Sequence, residues 1–231
     1  MSWLADHVAA LDTETTGVDV ESDRVVTACL GYSGGVGAWA PVEIHINPGV
    51  PIPAEASAVH GITDSDVADW AVPAVGLSHL YGHLRRCAEE GTPVVGFNLA
   101  YDLTLLDREF RRHLGKELPY GLLVLDVLVL WRRLERETGS RRLSLLAERH
   151  GIVFPAHDAT ADALASLRLL HILADRHDFL PHISLPSLYR LQEGWYAHQV
   201  DAAYQARLGR GDVAEPPSTE WPMRAFAGGD T

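Results

Sequence analysis

The chain has few cysteines and no long apolar run. Its 231 residues include two cysteines, Cys29 and Cys87, whose separation matches neither a zinc-site spacing nor a disulfide framework. We therefore expect a reducing compartment, of which the cytoplasm is the simplest. The longest apolar run, residues 121–131, is interrupted by Asp126 and is shorter than the roughly 18 residues that span a membrane. The first residues lack a basic segment and a cleavage-type site, so we expect no signal peptide.

Positive charge is also scarce, because the formal net charge is −12 and Lys116 is the only lysine. This balance argues against a protein that coats nucleic acid non-specifically, since such binding depends on neutralising phosphates. It does not exclude an enzyme that meets nucleic acid through metal ions at one cleft. Residues 108–149 differ from the rest, with ten basic and six acidic side chains. This segment is either a pair of solvated amphipathic helices or a binding patch.

Hydrophobic residues make up 47% of the chain, which is enough for a full core. Short β-rich runs predict strands, and Gly34 and Gly35 between two of them predict a hairpin. Helical spacing of apolar residues predicts helices in the later segments, with Asp158 as an N-cap and a capping box at Thr63 and Asp66. The predicted strands are 7–12, 24–34, 36–47, 94–97 and the start of 121–131; the main predicted helices are 72–90, 101–115, 143–151, 158–177 and 187–208.

Strands come first and then alternate with helices, which predicts one α/β domain with a mixed sheet. We expect this domain to occupy residues 1–180. Residues 181–208 would form a helical extension. Residues 209–231 are rich in Gly, Pro and small side chains and would form a flexible tail, in which residues 221–226 could dock on another surface.

The first candidate site motif is LDTETTG, which contains Asp12 and Glu14. Positions i and i+2 of a strand share one face, so both carboxylates can point into the same space. Thr15, Thr16 and Gly17 supply hydroxyls and amides that could cradle a substrate hydroxyl or phosphate. The alternative for such a triplet is a turn with solvated acids.

Two further motifs place acids at predicted strand ends and helix starts. Asp102 closes VVGFNLAYD, after Asn98, while His157 and Asp162 lie in HDATAD. Functional sites collect at the carboxyl ends of strands in α/β sheets. Each motif alone has an ordinary alternative, since an acid at a helix start is favoured by the helix dipole and a loop histidine is commonly solvated. Asn98 either binds substrate or stabilises the strand–helix loop.

The motifs carry more weight together than separately. Four clustered carboxylates repel one another and lose hydration, so they are stable only when cations neutralise them. Oxygen ligands suit hard cations such as Mg²⁺ or Mn²⁺. A histidine beside such a cluster is the natural proton acceptor near neutral pH.

With these three motifs in this order, the chain resembles the DEDDh exonuclease family, which includes the proofreading subunit of bacterial replicative polymerases. HGIT at residues 60–63, LDVLVLW and LSLLAERHGI also resemble family segments. The resemblance covers residues 7 to about 175. It implies an RNase H-like fold with a five-stranded mixed sheet flanked by helices. It also implies 3′-to-5′ hydrolysis of nucleic acid with two divalent cations, Mg²⁺ or Mn²⁺.

The resemblance also assigns roles to the acids and the histidine. Asp12 resembles the carboxylate that bridges both cations, Glu14 and Asp162 resemble further ligands of the first, and Asp102 resembles the partner of the second. His157 resembles the general base. All five positions of the family pattern are therefore filled.

On the substrate side, Thr15 resembles the residue that meets the terminal 3′ hydroxyl, His60 the histidine near the terminal nucleotide, and Tyr101 an aromatic that packs nearby. Phe97 departs from the pattern, because many relatives have histidine there. The candidate substrate-binding residues are Thr13, Thr15, Thr16, Gly17, His60, Asn98 and Tyr101.

Three interpretations of function remain at this stage. The first is a 3′-to-5′ exonuclease on single-stranded ends, with DNA favoured for proofreading or repair and RNA or oligoribonucleotide trimming as the alternative. The second is a non-catalytic nucleic-acid-binding or polymerase-binding module of the same fold. The third adds that the C-terminal segment, residues 187–231, binds a DNA polymerase or other partner, with residues 221–222 as its anchor.

Overall fold

A computed structural model describes Trp3 and residues 8–34, 38–136, 139–212 and 215–226. All structural statements concern these residues. Parts of the first predicted strand, the hairpin turn and the predicted tail lie outside them, at His7, residues 35–37, 213–214 and 227–231.

The described residues form a five-stranded mixed sheet with the order β3-β2-β1-β4-β5. β1 pairs antiparallel with β2, and β2 pairs antiparallel with β3, as the hairpin signal predicts. β1 also pairs parallel with β4, which pairs parallel with β5. The predicted α/β class and the five-stranded mixed sheet are therefore confirmed. The strands are β1 Val8–Thr15, β2 Val25–Ser33, β3 Trp39–His45, β4 Val94–Gly96 and β5 Val124–Asp126.

The described part of the chain contains eight α-helices, among which the five main predicted helices appear in the predicted order. The Thr63–Asp66 capping box and the Asp158 cap are both present. Two helices begin two residues earlier than predicted: α4 at Leu99, after Asn98 in a left-handed conformation, and α8 after a Ser184 cap. The helices are α1 Ala54–His60, α2 Asp64–Val67, α3 Pro73–Glu90, α4 Leu99–Leu114, α5 Val127–Leu134, α6 Leu143–Arg149, α7 Ala159–Arg176 and α8 Leu185–Leu208.

Both faces of the sheet are covered by helices, so the central strand β1 is almost continuously buried. Ala9 and Leu11 pack into a core cluster with residues of α3 and α4. Val8 and Ala10 pack into a second cluster with residues of α5 and α7. The alternation of strand side chains then directs Asp12 and Glu14 towards the α7 face, and Thr13 towards the α4 face.

The C-terminal elements pack on the same body. Leu188 and Gln192 of α8 are buried beside α5 and β5. Farther along, the Trp221 ring is 7% exposed and packs against Tyr189, 5.0 Å between ring centroids. None of the described helices is long and apolar enough to cross a lipid bilayer.

Candidate active site

A cavity of about 860 Å³ is lined by side chains that follow the carboxyl ends of β1 and β4. These two strands are parallel neighbours, so their carboxyl ends meet at one edge of the sheet. The predicted acids and histidine all line this cavity: Asp12, Glu14, Asp102, His157 and Asp162. The fold therefore brings together the three motifs, which are up to about 150 residues apart in sequence.

The β1 and α4 parts of the site are joined by a buried hydrogen bond. Thr13 Oγ1 donates to Asp102 Oδ1 at 2.6 Å. Thr13 faces α4 because it alternates with Asp12 and Glu14 along β1. A single strand thus supplies two carboxylates to the cavity and a hydroxyl that orients a third.

Asn98 precedes α4 in the left-handed region, with φ 67° and ψ 39°. Its backbone N–H donates to Asp126 Oδ1 at 3.0 Å, and the same oxygen accepts from Leu128 N at 2.9 Å. Asp126 therefore caps α5 and holds the turn that starts α4. This arrangement positions Asp102 in the first turn of α4, within the cavity wall.

His157 is the second non-glycine residue in the left-handed region among the described residues, with φ 68°. Its backbone N–H donates to Asp162 Oδ2 at 3.3 Å, and Asp158 caps α7 by accepting from Ala161 N at 2.9 Å. Strained backbone of this kind concentrates at functional sites. Here it turns the exposed His157 side chain back towards the acids of β1.

Burial raises the pKa values of the four site carboxylates, and repulsion between neighbouring acids adds to the shift of Asp12 and Glu14. Burial, followed by repulsion from Asp102 and Asp162, holds the pKa of Asp12 well above its ordinary value. Burial and the neighbouring acids raise the pKa of Glu14 to about 8. Burial likewise raises the pKa of Asp102 to about 7, although the Thr13 hydrogen bond opposes this, and raises the pKa of Asp162 to about 6. A neutralising cation would remove this repulsion.

The donor set fits a divalent cation. One ligand atom each from Glu14, His157 and Asp162 lie within 4.8 Å of one another. Asp162 Oδ1 is buried and has no hydrogen-bond partner among the described residues, which leaves a carboxylate oxygen available for a ligand. Carboxylate oxygens are ligands that hard divalent cations prefer.

The predicted substrate-binding residues divide into two groups. Thr13, Asn98 and Tyr101 line the cavity, whereas Thr15, Thr16, Gly17 and His60 lie outside its wall. The Thr15 hydroxyl lies 2.9 Å from the Tyr101 hydroxyl and donates to Gly17 O at 2.7 Å. These hydrogen bonds connect the loop that follows β1 (residues 16–24, the β1 loop) to Tyr101 at the cavity wall.

Thr16 and Gly17 serve the turn after β1. The Thr16 hydroxyl donates to Asp23 Oδ1 at 2.8 Å and accepts from Arg24 N at 2.9 Å. A Cβ on Gly17 would lie 2.5 Å from the Asp23 carboxylate, so a larger residue would displace that carboxylate from its hydrogen bonds to Thr16 and Asp19 N. The Thr16 hydroxyl is thus occupied within the chain. Burial lowers the pKa of His60, whose Nδ1 accepts from Ile62 N at 3.1 Å.

The cavity also has a basic wall, whose residues lie outside the three motifs. This wall consists of Arg132 from α5 and of Arg141 and Arg142 before α6, which carry the charge opposite to that of the acids. Phe97, the departure from the family pattern, lines it as well. The only sequence signal for this wall is the excess of basic residues in 108–149, which does not say which arginines face the cleft.

The chain matches known exonucleases over most of its length. The sequence model of the RNase T family, described as Exonuclease, matches residues 9–170. A DNA polymerase III subunit epsilon-like protein from Rhodobacter capsulatus is 34% identical over 175 residues, which cover 71% of this chain and 24% of that protein. The DNA polymerase III subunit epsilon of Treponema pallidum is 27% identical over 210 residues, covering 87% of this chain and 94% of that subunit.

The fold has counterparts among solved structures. E. coli exonuclease I in complex with a dT13 oligonucleotide superposes with a TM-score of 0.65 at 20% sequence identity. The match covers 76% of this chain and 42% of exonuclease I. This chain thus spans about a quarter of the Rhodobacter relative and less than half of exonuclease I.

Proposed function

The chain belongs to the RNase T exonuclease family, and from that premise we propose that it is a metal-dependent 3′-to-5′ exonuclease that prefers single-stranded DNA. It would release 5′-mononucleotides from the 3′ end. The observation that carries the proposal is the convergence of Asp12, Glu14, Asp102, Asp162 and His157 on one cavity. The raised carboxylate pKa values support the proposal, because strongly shifted pKa values cluster at catalytic and binding sites.

Asp12, Glu14, Asp102 and Asp162 would together hold two divalent cations. When bound, the cations supply a nucleophile at neutral pH and neutralise charge on the phosphate. Thr13 would keep Asp102 oriented through its hydrogen bond.

His157 would accept the proton of the attacking water. Its side chain is exposed to the cleft and stands within reach of Glu14 and Asp162. The water oxygen forms a new bond to the terminal phosphorus, and the bond from phosphorus to the 3′ oxygen of the penultimate nucleotide breaks. That oxygen takes a proton and leaves as the new 3′ hydroxyl, so the terminal nucleotide departs with its 5′ phosphate.

The terminal nucleotide would lie beside the β1 loop. Thr15 and Tyr101 are hydrogen-bonded to each other, and Tyr101 and Asn98 line the cavity, so a terminal sugar there would meet hydroxyl and amide groups. His60 would contact the terminal base or sugar from α1, and the backbone of Thr16 and Gly17 would hold the loop. An aromatic wall favours unpaired bases, which can stack on it.

The names of the relatives favour both DNA as substrate and a polymerase as partner, and the exonuclease I neighbour favours DNA as substrate. The relatives in Rhodobacter and Treponema are named for a DNA polymerase III subunit, and the exonuclease I neighbour holds a DNA oligonucleotide. Any polymerase contact would use surfaces other than the Trp221 ring, because that ring is buried against Tyr189. Both cysteines are free and buried, which supports action in the reducing cytoplasm.

The test is digestion of 5′-labelled single-stranded DNA and RNA of matched sequence, with Mg²⁺, Mn²⁺ or EDTA. We expect a ladder that shortens from the 3′ end, needs the metal, and forms faster with DNA. His157→Ala should lose it, whereas His79→Ala, which changes an exposed histidine of α3 away from the cavity, should not.

Different results separate the alternatives. Faster digestion of RNA would move the assignment to RNA or oligoribonucleotide trimming. Binding of either polymer without cleavage at any metal concentration would identify a binding module of this fold. Equal rates in the wild type and His157→Ala would remove the histidine from the mechanism.

A further inference from the structure

The cleft is lined by two groups of opposite charge. The acids from β1, α4 and α7 form the acidic group, and Arg132, Arg141 and Arg142 form the basic group. The chain as a whole carries a formal charge of −12, so a nucleic acid strand is repelled by most of the surface. The basic group is therefore a local exception inside the candidate active site.

The arginines of α4, which also belong to the basic segment, are neutralised within the chain. Arg108 pairs with Asp107 and Glu21 at about 3 Å, Arg111 pairs with Asp107 at 2.8 Å, and Arg112 pairs with Glu109. The structure thus separates these paired arginines of α4 from the arginines of α5 and the segment before α6 that line the cleft.

Two of the cleft arginines lack a comparable ion pair, since among the described residues no carboxylate lies within ion-pair distance of Arg132 or Arg142. Burial lowers the pKa of Arg132, the more distant charge of Asp126 opposes this, and repulsion from Arg141 adds to the lowering. Like charges brought together in a cavity are stabilised when an anion lies between them. The guanidinium group is well suited to phosphate, because it offers paired donors in a fixed plane.

We propose that Arg132 and Arg142 bind backbone phosphates of the substrate strand on the 5′ side of the scissile bond. The inference rests on the proposed exonuclease function and assigns the direction of the strand across the cleft. The scissile phosphate lies among the acids, which would hold the cations. The strand continues from there to the two arginines, which hold it in place between successive cleavages.

In this placement, the acids and the arginines have separate roles. The acids and His157 act on the terminal phosphodiester, and the arginines contribute to polymer affinity alone. A small ester that has no upstream strand should therefore not sense the arginines. The p-nitrophenyl ester of thymidine 5′-monophosphate is such a probe, because nitrophenolate replaces the penultimate nucleotide as leaving group.

The experiment compares Arg132→Gln/Arg142→Gln with a charge-matched control, Arg85→Gln/Arg86→Gln, whose arginines pair with Glu89 and Glu90 on exposed α3. Binding of a fluorescent single-stranded DNA is measured by anisotropy in EDTA over a salt series. We expect the cleft variant to bind about tenfold or more weakly, since each hydrogen bond to a charged group contributes appreciably. The slope of log K for binding against the logarithm of the salt concentration should become shallower by about 1.4, which is about 0.7 for each of the two lost phosphate contacts.

Kinetics complete the test. The cleft variant should show a raised KM for oligonucleotides, with unchanged kcat and unchanged hydrolysis of the nitrophenyl ester. Melting temperatures of both variants establish that they are folded. Oligonucleotide affinity equal to that of the control would overturn the inference, and so would an equal loss of ester hydrolysis, because the arginines would then act at the reacting phosphate. If the wild type cleaves neither substrate, the proposed function fails, and the binding arm still decides the role of the arginines.

Discussion

The side chain of Gln192 pairs with the backbone of β5 as a neighbouring strand would. Its Oε1 accepts from the backbone N–H of Asp126 at 2.8 Å, and its Nε2 donates to Val124 O at 3.0 Å. β5 is an edge strand of the sheet, so these groups would otherwise be buried without partners. Asp126 in turn holds the turn at Asn98. A helix beyond the three motifs thus supports the active-site edge of the sheet.

The first prediction concerns this amide. Gln192→Leu leaves a buried N–H and a buried carbonyl of β5 unsatisfied, so the free energy of unfolding should fall by roughly 3 kcal/mol. Urea denaturation measures it. Gln205→Leu, an exposed position of the same helix, is the control and should change little. Equal stability of the two variants would show that α8 does not cover the β5 edge in solution.

The second prediction concerns the orientation of Asp102. Thr13→Val removes the 2.6 Å hydrogen bond to Asp102 while preserving shape, so kcat should fall by about tenfold or more, as expected for a bond to a charged group. Thr13→Ser keeps the hydroxyl and should retain most of the activity. Asp102→Asn, which removes the charge itself, should nearly abolish turnover. A Thr13→Val enzyme with wild-type kcat would mean that Asp102 needs no such support.

The third prediction concerns metal binding. Millimolar Mg²⁺ or Mn²⁺ should raise the melting temperature by roughly 5 °C, because a ligand that binds only the folded state stabilises it. The shift should disappear in Asp12→Asn and reverse in the wild type when EDTA is added. Differential scanning fluorimetry in a buffer free of Ca²⁺ measures this shift in melting temperature. An unchanged melting temperature would argue strongly against cation binding by the acid cluster.

The fourth prediction concerns pH without metal. The pKa of Glu14 rises from 4.5 to about 8 on folding, so the protonated side chain favours the folded state. That contribution is complete below pH 4.5 and is lost as the pH rises through 8. In EDTA, Glu14→Gln should therefore match the wild type near pH 4.5. It should be more stable near pH 8.5, by up to about 4 kcal/mol.

Chemical denaturation of both proteins at several pH values measures this difference. If Glu14→Gln is more stable than the wild type by the same amount at every pH, the difference in stability does not arise from ionisation of Glu14. Saturating Mg²⁺ should remove the advantage, because the ionised wild-type carboxylate would then have a cation beside it.

The fifth prediction concerns the C-terminal segment. Arg108 is buried and donates to Arg224 O at 3.2 Å and Ala225 O at 2.8 Å, while Trp221 fills a hydrophobic position beside Tyr189. Removal of residues 209–231 should therefore lower the melting temperature by several degrees. If this truncation leaves stability unchanged but abolishes polymerase binding, the segment serves a partner and not the fold.

The local parts of the structure were predictable because they depend on nearest neighbours in sequence. The Asp158 cap and the Thr63 capping box act within one helical turn, and each appears as the pattern predicts. The early start of α4 was not predictable in this way. It depends on Asn98 in a left-handed conformation, held by Asp126 from another strand.

The candidate site divides in the same manner. The acids and His157 stand in short motifs at strand ends and helix starts, so their convergence follows from the topology of a parallel β1–β4 pair. The role of Thr16 does not follow from its motif. Its hydroxyl is taken up by Asp23 and Arg24, which a linear pattern does not mark as its neighbours.

By itself, the sequence determined the family, the order of strands and helices, and the set of residues capable of holding cations. These properties follow from residue type and spacing along the chain. Only the tertiary structure decided which arginines of residues 108–149 face the cleft and which are neutralised on α4. It also decided that Gln192 completes the sheet edge. Charge pairing and hydrogen bonding are short-ranged, so they depend on which elements the fold makes neighbours.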